Sequence, residues 1–476
     1  MKRLFCILLT VLLFTIPCSA AYSPYYTYNY DSNLDAVPAA ASYLPEYSIG
    51  SGENAHISLV TPSDLEIEGD RCYIADTGNN RVLVLDISDR KPEVVYEISS
   101  FQTDMGEDAL KQPMGVCVAN GELYVADTEN HRLVIFNLNG EFIDIVPQPS
   151  INSFAVEVEY RPFKVGVDSN DRIYVVGLSV TEGIIQLDRD GNFIRFFGSN
   201  RVTVDFYELM LRFFLTKQQQ AKRLSFVPVE YSNLAIDSNN FVYVTSKTDT
   251  LQVKKLNTSG INILRTDART EDVYGDINKR PAEIVDVTID QSENIFILDN
   301  LRCRVFQYNQ LGDLLAVFGS SGDSVGCFTT PTAIDCTADG RIFVSDSAKN
   351  TITVFQPTDF GKLVNEANKN FVEGDFQSSM AIWKQVLTLD SNFDLAYVGL
   401  GHSYMQTGDY KKAIDCYKKG KYKDGYSDAF AEYRTELLSR IFPYAMTALA
   451  VLIVLLILLR KRLKTIPAKI RNFVNP

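Results

Sequence analysis

The chain has 476 residues, of which 46% are hydrophobic, and its 59 acidic and 46 basic side chains give a formal net charge of −13. This composition is too apolar for a disordered chain, and the length predicts two or more domains. The acidic charge disfavours a nucleic-acid partner, because phosphates attract basic surfaces. Only three histidines occur, which restricts metal-dependent and acid–base chemistry.

Residues 1–20 have the order of a secretory signal peptide. Lys2 and Arg3 precede an apolar run, and small residues end the segment at Ala20. A charged start, an apolar middle and a small-residue end are typical of exported proteins. We therefore expect cleavage after Ala20. Residues 21–45, rich in Tyr, Ala, Ser and Pro, are predicted to be a flexible lead-in.

Short apolar strands recur six times along the next part of the chain. Four copies end in an aspartate, whereas Gly177 and Ser246 lie near this position in the other two. Each copy continues through a third strand and a hairpin turn such as Asn139-Gly140. Four strands in each of six copies, spaced by roughly fifty residues, predict a six-bladed β-propeller over 46–357. The four aspartates are Asp76, Asp127, Asp299 and Asp346.

The turn after the first two aspartates resembles the signature of the NHL-repeat family. It reads Asp-Thr-Gly-Asn-Asn-Arg over 76–81 and Asp-Thr-Glu-Asn-His-Arg over 127–132. The resemblance implies the same six-bladed, mainly β fold. RNA recognition, as in some animal NHL proteins, conflicts with export and with the acidic charge. We interpret the aspartates as turn braces, because Asp at a strand end commonly bonds the amides of its own turn.

Ring closure and one insertion are also predicted from sequence. The segment 47–52 mimics 318–322, and no inner strands precede it. We therefore expect 47–52 to supply the outer strand of the sixth blade, which removes an open edge. Residues 201–226 interrupt the repeats with apolar residues at helical spacing. This predicted helical insertion either packs on the propeller as a lid or binds a partner.

The segment 360–440 changes to helical periodicity and resembles tetratricopeptide (TPR) repeats. Gly374 and Gly408 lie 34 residues apart, which is the TPR repeat length. The resemblance implies a small α-helical domain that either holds a peptide in its groove or acts as a spacer. Its signature positions are Gly374, Trp383, Gly401, Tyr404, Gly408, Ala413 and Tyr417.

The C-terminal segment predicts a membrane anchor of bacterial type. Residues 441–459 carry no charge, and 19 residues at about 1.5 Å each approach the ~30 Å hydrocarbon core. Residues 460–476 are basic and contain no acid, so this tail is expected to be cytoplasmic. The sequence therefore predicts a single-pass protein of the cell membrane whose N-terminal domains are extracytoplasmic.

The inner strands offer candidate binding residues near one mouth of the channel. Residues that alternate with the packing positions are expected to line it, and the polar ones are Asp64, Glu66, Lys164, Asn233, Asp286 and Asp335. Gluconolactonase-type propellers are similar in shape and hold a divalent cation with carboxylates and Asn. That likeness implies Ca²⁺ or another divalent cation on Asp64, Asn233 and Asp286, in a hydrolase of lactone-like or sugar substrates. The alternative is an inert polar channel that requires no cofactor.

No catalytic signature motif occurs in the chain, so the sequence favours a binding scaffold over an enzyme. Partners compatible with this prediction are a protein, a cell-surface glycan or a membrane complex such as a transporter, and nucleic acid is excluded. Cys303 and Cys327 are predicted to share one face of the propeller, and export permits a disulfide between them.

Overall fold

The structure is a computed structural model that describes residues 23–30, 35–151, 160–199, 230–247, 251–264, 274–276 and 282–464. The predicted signal peptide 1–20, the predicted helical insertion 201–226 and most of the tail 460–476 lie outside the described residues. The chain divides into two compact units, Met1–Asn368 and Lys369–Pro476. The first unit is mainly β and the second is helical.

Three strands precede the first blade, and a four-stranded antiparallel sheet then forms it. The early strands are β1 (Tyr28–Tyr30), β2 (Ala36–Pro38) and β3 (Tyr43–Ile49). Blade one is β4 (Pro62–Glu68), β5 (Arg71–Asp76), β6 (Arg81–Asp86) and β7 (Glu93–Ile98). A separate hairpin follows, made of β8 (Ser100–Thr103) and β9 (Gly106–Ala109).

Blades two to four repeat the same strand order, with three strands in the described part of blade four. Blade two is β10 (Pro113–Ala119), β11 (Glu122–Asp127), β12 (Arg132–Asn137) and β13 (Phe142–Val146). Blade three is β14 (Pro162–Val167), β15 (Ile173–Gly177), β16 (Ile184–Leu187) and β17 (Phe193–Phe197). Blade four is β18 (Tyr231–Ile236), β19 (Val242–Ser246) and β20 (Val253–Leu256).

Blades five and six complete the propeller. Blade five is β21 (Ile284–Ile289), β22 (Ile295–Asp299), β23 (Arg304–Tyr308) and β24 (Leu314–Phe318), followed by the short pair β25 (Ser320–Ser321) and β26 (Cys327–Phe328). Blade six contains β27 (Pro331–Cys336), β28 (Ile342–Asp346) and β29 (Thr351–Pro357). The first strands contact each other in cyclic order, β4, β10, β14, β18, β21, β27 and β4 again. The predicted six-bladed propeller is therefore confirmed.

The sixth blade is closed by β3, which pairs antiparallel with β29. Ile49 lies opposite Ile352, and Ser48 lies opposite Thr353. The expected closure by the N-terminal copy is confirmed. The two ends of the propeller therefore share the sheet of the sixth blade, where the N-terminal strand is held to the last strand by backbone hydrogen bonds.

The described part of 21–45 differs from the predicted flexible lead-in. Strands β1 and β2 pair with each other, and the side chains of Tyr25 and Tyr28 are buried. The Tyr25 hydroxyl donates a hydrogen bond to the Tyr43 carbonyl at 2.6 Å, and the Tyr30 hydroxyl donates to the Asp276 carboxylate at 2.8 Å. The tyrosines order this segment because each combines a large apolar ring with a hydroxyl that finds an acceptor.

Five helices follow the propeller strands. They are α1 (Asp359–Val372), α2 (Phe376–Leu389), α3 (Asp394–Gln406), α4 (Tyr410–Lys419) and α5 (Lys423–Lys464). Asp375 and Asp409 cap α2 and α4 by accepting hydrogen bonds from the backbone N–H groups of Ser378 and Lys412. The preceding Gly374 and Gly408 supply positive φ angles of 84° and 77° at the two turns.

Small and aromatic residues alternate where the helices of the second unit pack. Trp383 lies against Gly399, and Tyr417 lies against Gly401, so closely that a Cβ atom at either glycine would collide with the ring. Ala413 is buried beside Tyr417. The helix Lys423–Arg462 within α5 is long and apolar enough to cross a membrane, and its most apolar 18-residue window has a mean hydropathy of 2.6 and is not buried in the structure.

Candidate functional site in the propeller channel

Six equivalent positions on the inner strands form one ring of residues, here called ring one. Each of these residues comes directly after a shift in pairing register at the start of its inner strand. Each then pairs with the equivalent residue of the second strand, as Asp64 does with Ala75 and Asp286 with Leu298. The same register places Lys164 opposite Val176. Ring one is Asp64, Gly115, Lys164, Asn233, Asp286 and Ala333.

A second ring lies two residues further along each inner strand and is here called ring two. Its members pair with an aromatic residue of the second strand in every blade, as Glu66 with Tyr73 and Asp335 with Phe343. All of ring two and three members of ring one, Asp64, Asn233 and Asp286, line one cavity of about 350 Å³, whereas Lys164 is not part of its wall. Ring two is Glu66, Cys117, Gly166, Ala235, Thr288 and Asp335.

Lys164 of blade three reaches past blade two to Asp64 of blade one. Its ammonium lies 2.5 Å from the Asp64 carboxylate and donates to the Ser63 carbonyl at 3.1 Å, and both charged side chains are buried. Blade two has Gly115 at the intervening position, where a Cβ atom would lie 2.6 Å from the Phe163 carbonyl oxygen. Glycine therefore lets the strand of blade three come close enough for this ion pair.

Carboxylates of the two rings join neighbouring blades. Asp64 accepts a hydrogen bond from the backbone N–H of Val116 in blade two at 2.9 Å. Asp286 accepts one from Ile334 in blade six at 2.7 Å. Because each acceptor lies in one blade and each donor in the next, these carboxylates hold inner strands together in the centre of the ring.

The last of these links crosses the closure of the ring. Asp335 of blade six accepts a hydrogen bond from the backbone N–H of Ile67 in blade one at 2.7 Å, and its second oxygen accepts from the Thr288 hydroxyl of blade five at 2.7 Å. Asn233 of blade four donates its side-chain amide to Asp286 of blade five. Five of the six predicted site residues thus act in bonds between blades.

Glu66 is the remaining predicted residue and faces a strongly acidic environment. Burial raises its pKa well above the usual value, and the charges of Asp335, Asp64 and Asp286 raise it further. Burial also raises the pKa of Asp286 to about 8 and that of Asp335 to about 6. The channel therefore retains protons on some carboxyl groups near neutral pH, because one buried ammonium does not balance so many buried carboxylates.

The three residues implied as cation ligands do not fit that role in this arrangement. Asp64 already contacts the Lys164 ammonium, and the Asn233 side-chain oxygen, which would have to bind the cation, accepts a hydrogen bond from the Leu234 backbone N–H at 2.6 Å. Among the described residues, no group of three or more His, Cys, Asp or Glu side chains is arranged to hold a metal ion. We therefore derive no reaction step through a metal in this channel.

The repeat aspartates brace their own turns. Asp76 accepts hydrogen bonds from the backbone N–H of Val60 at 2.7 Å, from Asn79 at 2.7 Å and from Arg81 at 2.8 Å. Asp127 accepts the equivalent three bonds in blade two. Both aspartates are fully buried, so their oxygens are committed to the turn.

The predicted disulfide between Cys303 and Cys327 is not present in this structure, where both thiols are free. The Cys303 thiol points to the carbonyl groups of Asn300 and Thr329, whereas the Cys327 sulfur lies 3.2 Å from the Ser320 hydroxyl. A location on the same face of the propeller is therefore not sufficient for a disulfide, because the two thiols make hydrogen bonds to different partners.

The helical unit has a separate cavity of about 530 Å³ between α2, α3 and α4. Of the predicted signature residues, only Tyr404 lines it, together with two lysines that the sequence analysis missed, Lys384 and Lys412. The sequence did contain a pattern that predicts this cavity wall, because four of the lining residues recur at helical intervals along α2 and so share one face of that helix. These four are Gln377, Met380, Ala381 and Lys384.

The fold and the turn geometry define the chain as a six-bladed β-propeller that contains an NHL repeat. The family model described as "NHL repeat" matches residues 110–136, which span the Asp127 turn of blade two. The chain is 34% identical over 92 residues to "NHL repeat-containing protein 2" of Gallus gallus, and 34% identical over 82 residues to that of Homo sapiens. These alignments cover 18% and 16% of this chain and only 13% and 11% of the relatives.

Solved structures with a similar outline have very different sequences. The WD40 β-propeller domain of Doa1 is 11% identical with a TM-score of 0.40, and the match covers 68% of this chain and 99% of that domain. A virginiamycin B lyase from Staphylococcus aureus is 9% identical with a TM-score of 0.38, covering 66% of this chain and 100% of the lyase. The sheet topology, rather than these similarities, establishes the fold, and neither structure supports an argument about function.

Proposed function

We propose that this chain is a membrane-anchored extracytoplasmic scaffold protein that binds a protein partner through its propeller and its helical unit. The observation that supports the proposal is that the channel carboxylates form hydrogen bonds between blades. Asp64, Asp286 and Asp335 each accept a backbone hydrogen bond from the next blade. A channel centre that holds the blades together leaves the loop-built faces as the surfaces for recognition, and β-propellers commonly mediate protein interactions.

The helical unit supports the same proposal. Its cavity is lined by Met380, Lys384, Tyr404, Asp409 and Lys412, and the Lys412 ammonium is ion-paired with Asp409 at 2.6 Å. Such a lining suits an extended peptide with an apolar and an acidic side chain, since Tyr404 and Met380 supply apolar contact while Lys384 attracts a carboxylate. The 34-residue repeat and the capped helices support a TPR assignment, in which this cavity is the peptide groove.

Anchoring is supported by α5 and by the residues after it. The uncharged run 441–459 is followed by Arg460, Lys461 and Arg462, which favour the cytoplasmic side. With the signal peptide predicted for residues 1–20, this order supports an external propeller and helical unit on a single-pass anchor. Protease added to intact cells should degrade the propeller and spare an epitope placed after Pro476. Protection of the propeller in intact cells would contradict this orientation.

The binding role is tested by photocrosslinking of the full chain in its own membranes. A photoreactive amino acid at Tyr404 samples the helical cavity, and one at the fully exposed Met105 samples the tip of the β8–β9 hairpin. The exposed Leu389 is the matched control, since it does not line the cavity. We expect a discrete heavier adduct at Tyr404 or Met105 that is absent at Leu389. Equal labelling at all three positions would contradict the proposal.

A further inference from the structure

Blade five lacks the arginine brace of its repeat aspartate, although its backbone pairing is the same as in blade one. Asp299 lies opposite Arg304 in the pairing of β22 with β23. The equivalent pair in blade one is Asp76 and Arg81, where the arginine Nε donates to the aspartate Oδ2 at 2.8 Å. Blade two has the same bond at the same distance. In blade five, the Asp299 Oδ2 and Arg304 Nε atoms are both buried, and neither has a hydrogen-bond partner among the described residues.

Blade six shows that this unpaired oxygen is not a general feature of a turn without an arginine brace. Asp346 has Thr351 in place of the arginine, yet both of its carboxylate oxygens accept hydrogen bonds from backbone N–H groups. Asp299 accepts two backbone hydrogen bonds, and both go to Oδ1. A buried oxygen and a buried guanidinium N–H without partners cost free energy. Another interaction must therefore hold Arg304 away from Asp299.

That interaction comes from the N-terminal part of the chain. We call its described residues 23–30 and 35–38 the N-terminal strap. The Arg304 guanidinium lies over the ring of Tyr28, 5.1 Å from its centroid, and donates to the Tyr28 hydroxyl at 3.0 Å. The same guanidinium lies 3.6 Å from the Asp276 carboxylate, which also accepts from the Tyr30 hydroxyl at 2.8 Å. Arg304 is thus bound to the strap and to Asp276 in place of the aspartate of its own turn.

The N-terminal strap is docked on blade five by side chains. Strand β1 of the strap contacts β24, the last strand of the blade-five sheet, but β1 and β2 form a sheet of their own. The Asn29 side chain donates to the Leu314 carbonyl of β24 at 3.2 Å. Because no strand pairing joins β1 to β24 in the described part of the chain, the strap can leave without breaking the blade-five sheet. The contact between Arg304 and Tyr28 is one of those that such a release would break.

We propose that Arg304 is a two-position switch that controls the docking of the N-terminal strap. With the strap docked, the guanidinium binds Tyr28 and Asp276. When the strap leaves blade five, the Arg304 Nε donates to the Asp299 Oδ2, as the equivalent arginine does in blade one. Each position satisfies groups that the other leaves without a partner, so the released state is closer in free energy to the docked state than it would be without Asp299. Release uncovers the outer edge of β24.

Hydrogen–deuterium exchange of the purified full chain tests the switch, because the exchange of strap amides reports how often the strap opens. Asp299→Asn removes the charge that Arg304 binds in the released state. The strap should therefore open less often, and its amides should exchange several-fold more slowly. Asp127→Asn is the matched control. It makes the same change in blade two, where the arginine is already paired with the aspartate, and it should leave strap exchange unchanged.

Tyr28→Phe should have the opposite effect. It keeps the ring but removes the hydroxyl that accepts from Arg304, so the strap amides should exchange several-fold faster. Strap exchange in Asp299→Asn that is as fast as in the unaltered chain, or faster, would overturn the switch. A purely structural aspartate, or a variant that does not fold, can give only those results. An unchanged rate in Tyr28→Phe would overturn it as well, because Arg304 would then not hold the strap.

Discussion

Blades one and two differ from blades three and four at the position that begins the second turn. In the first pair, Asp76 and Asp127 each bind a backbone N–H, an asparagine and an arginine. In blade three the same register places Gly177 opposite Pro162, with the buried Val180 against it. In blade four it places Ser246, whose hydroxyl has no hydrogen-bond partner among the described residues.

The comparison shows that the aspartate belongs to the turn rather than to a ligand. In blades one and two it connects a backbone amide, an asparagine and an arginine, and in blades five and six Asp299 and Asp346 accept hydrogen bonds from backbone N–H groups. Where it is absent, as at Gly177, an apolar contact replaces it and the blade still forms. A ligand site would need the carboxylate oxygens to be open, whereas Asp76 and Asp127 are fully buried and fully bonded.

The largest expected effect is the loss of this brace. Asp127→Ala should lower the free energy of unfolding by about 2–4 kcal/mol, because Arg132, Asn130 and the Lys111 backbone N–H all lose the buried acceptor that they share. The matched control, Ser246→Ala in blade four, removes a hydroxyl without a described partner and should cost less than about 1 kcal/mol. Denaturant unfolding of the purified full chain measures both. Similar losses for the two variants would contradict the comparison.

A smaller effect is expected when the aspartate is introduced into blade three. Gly177→Asp should destabilise the chain by about 1–3 kcal/mol instead of restoring a brace, since the new Cβ atom would lie 2.7 Å from a methyl group of Val180. The same unfolding assay applies. A gain in stability would show that the brace and the apolar contact are interchangeable.

Burial of the channel carboxylates makes the stability of the chain depend on pH. The folded pKa of Asp286 is raised to about 8 and that of Asp335 to about 6 by burial. The folded chain therefore binds more protons than the unfolded chain between the ordinary carboxyl pKa and pH 8, so this contribution to stability is present at low pH and is lost as pH rises. Lys164, Asp64 and Glu66 face the same centre and shape this dependence.

We expect the melting temperature to fall by a few degrees between pH 5 and pH 9 through this contribution. Asp286→Asn removes one titrating group and should flatten the upper part of the curve, from about pH 6 upward. Thermal melts of both chains across this range measure the difference. Parallel curves for the two chains would show that Asp286 does not titrate in the folded channel.

Sequence alone predicted the repeat number, the ring positions and the closure of the sixth blade by the N-terminal copy, although the closing strand is Tyr43–Ile49 rather than 47–52. These follow from local period and turn chemistry, which the six copies share. The hydrogen-bond partners of the ring residues could not be predicted. The strand pattern places Asp64 and Lys164 at equivalent positions of blades one and three, but it does not show that Gly115 of blade two leaves room for their ion pair. The ordered lead-in was missed because the contacts of Tyr25 and Tyr30 are made with distant parts of the chain.

The central claim is that the channel carboxylates tie the blades together rather than hold a catalytic cation. The most direct test is the melting temperature of the full chain with and without millimolar calcium, repeated for Asp286→Asn. We predict no calcium-dependent shift in either chain, because Asp64 is paired with Lys164 and Asp286 with Asn233. A calcium-dependent rise in the unaltered chain that disappears in Asp286→Asn would contradict the claim.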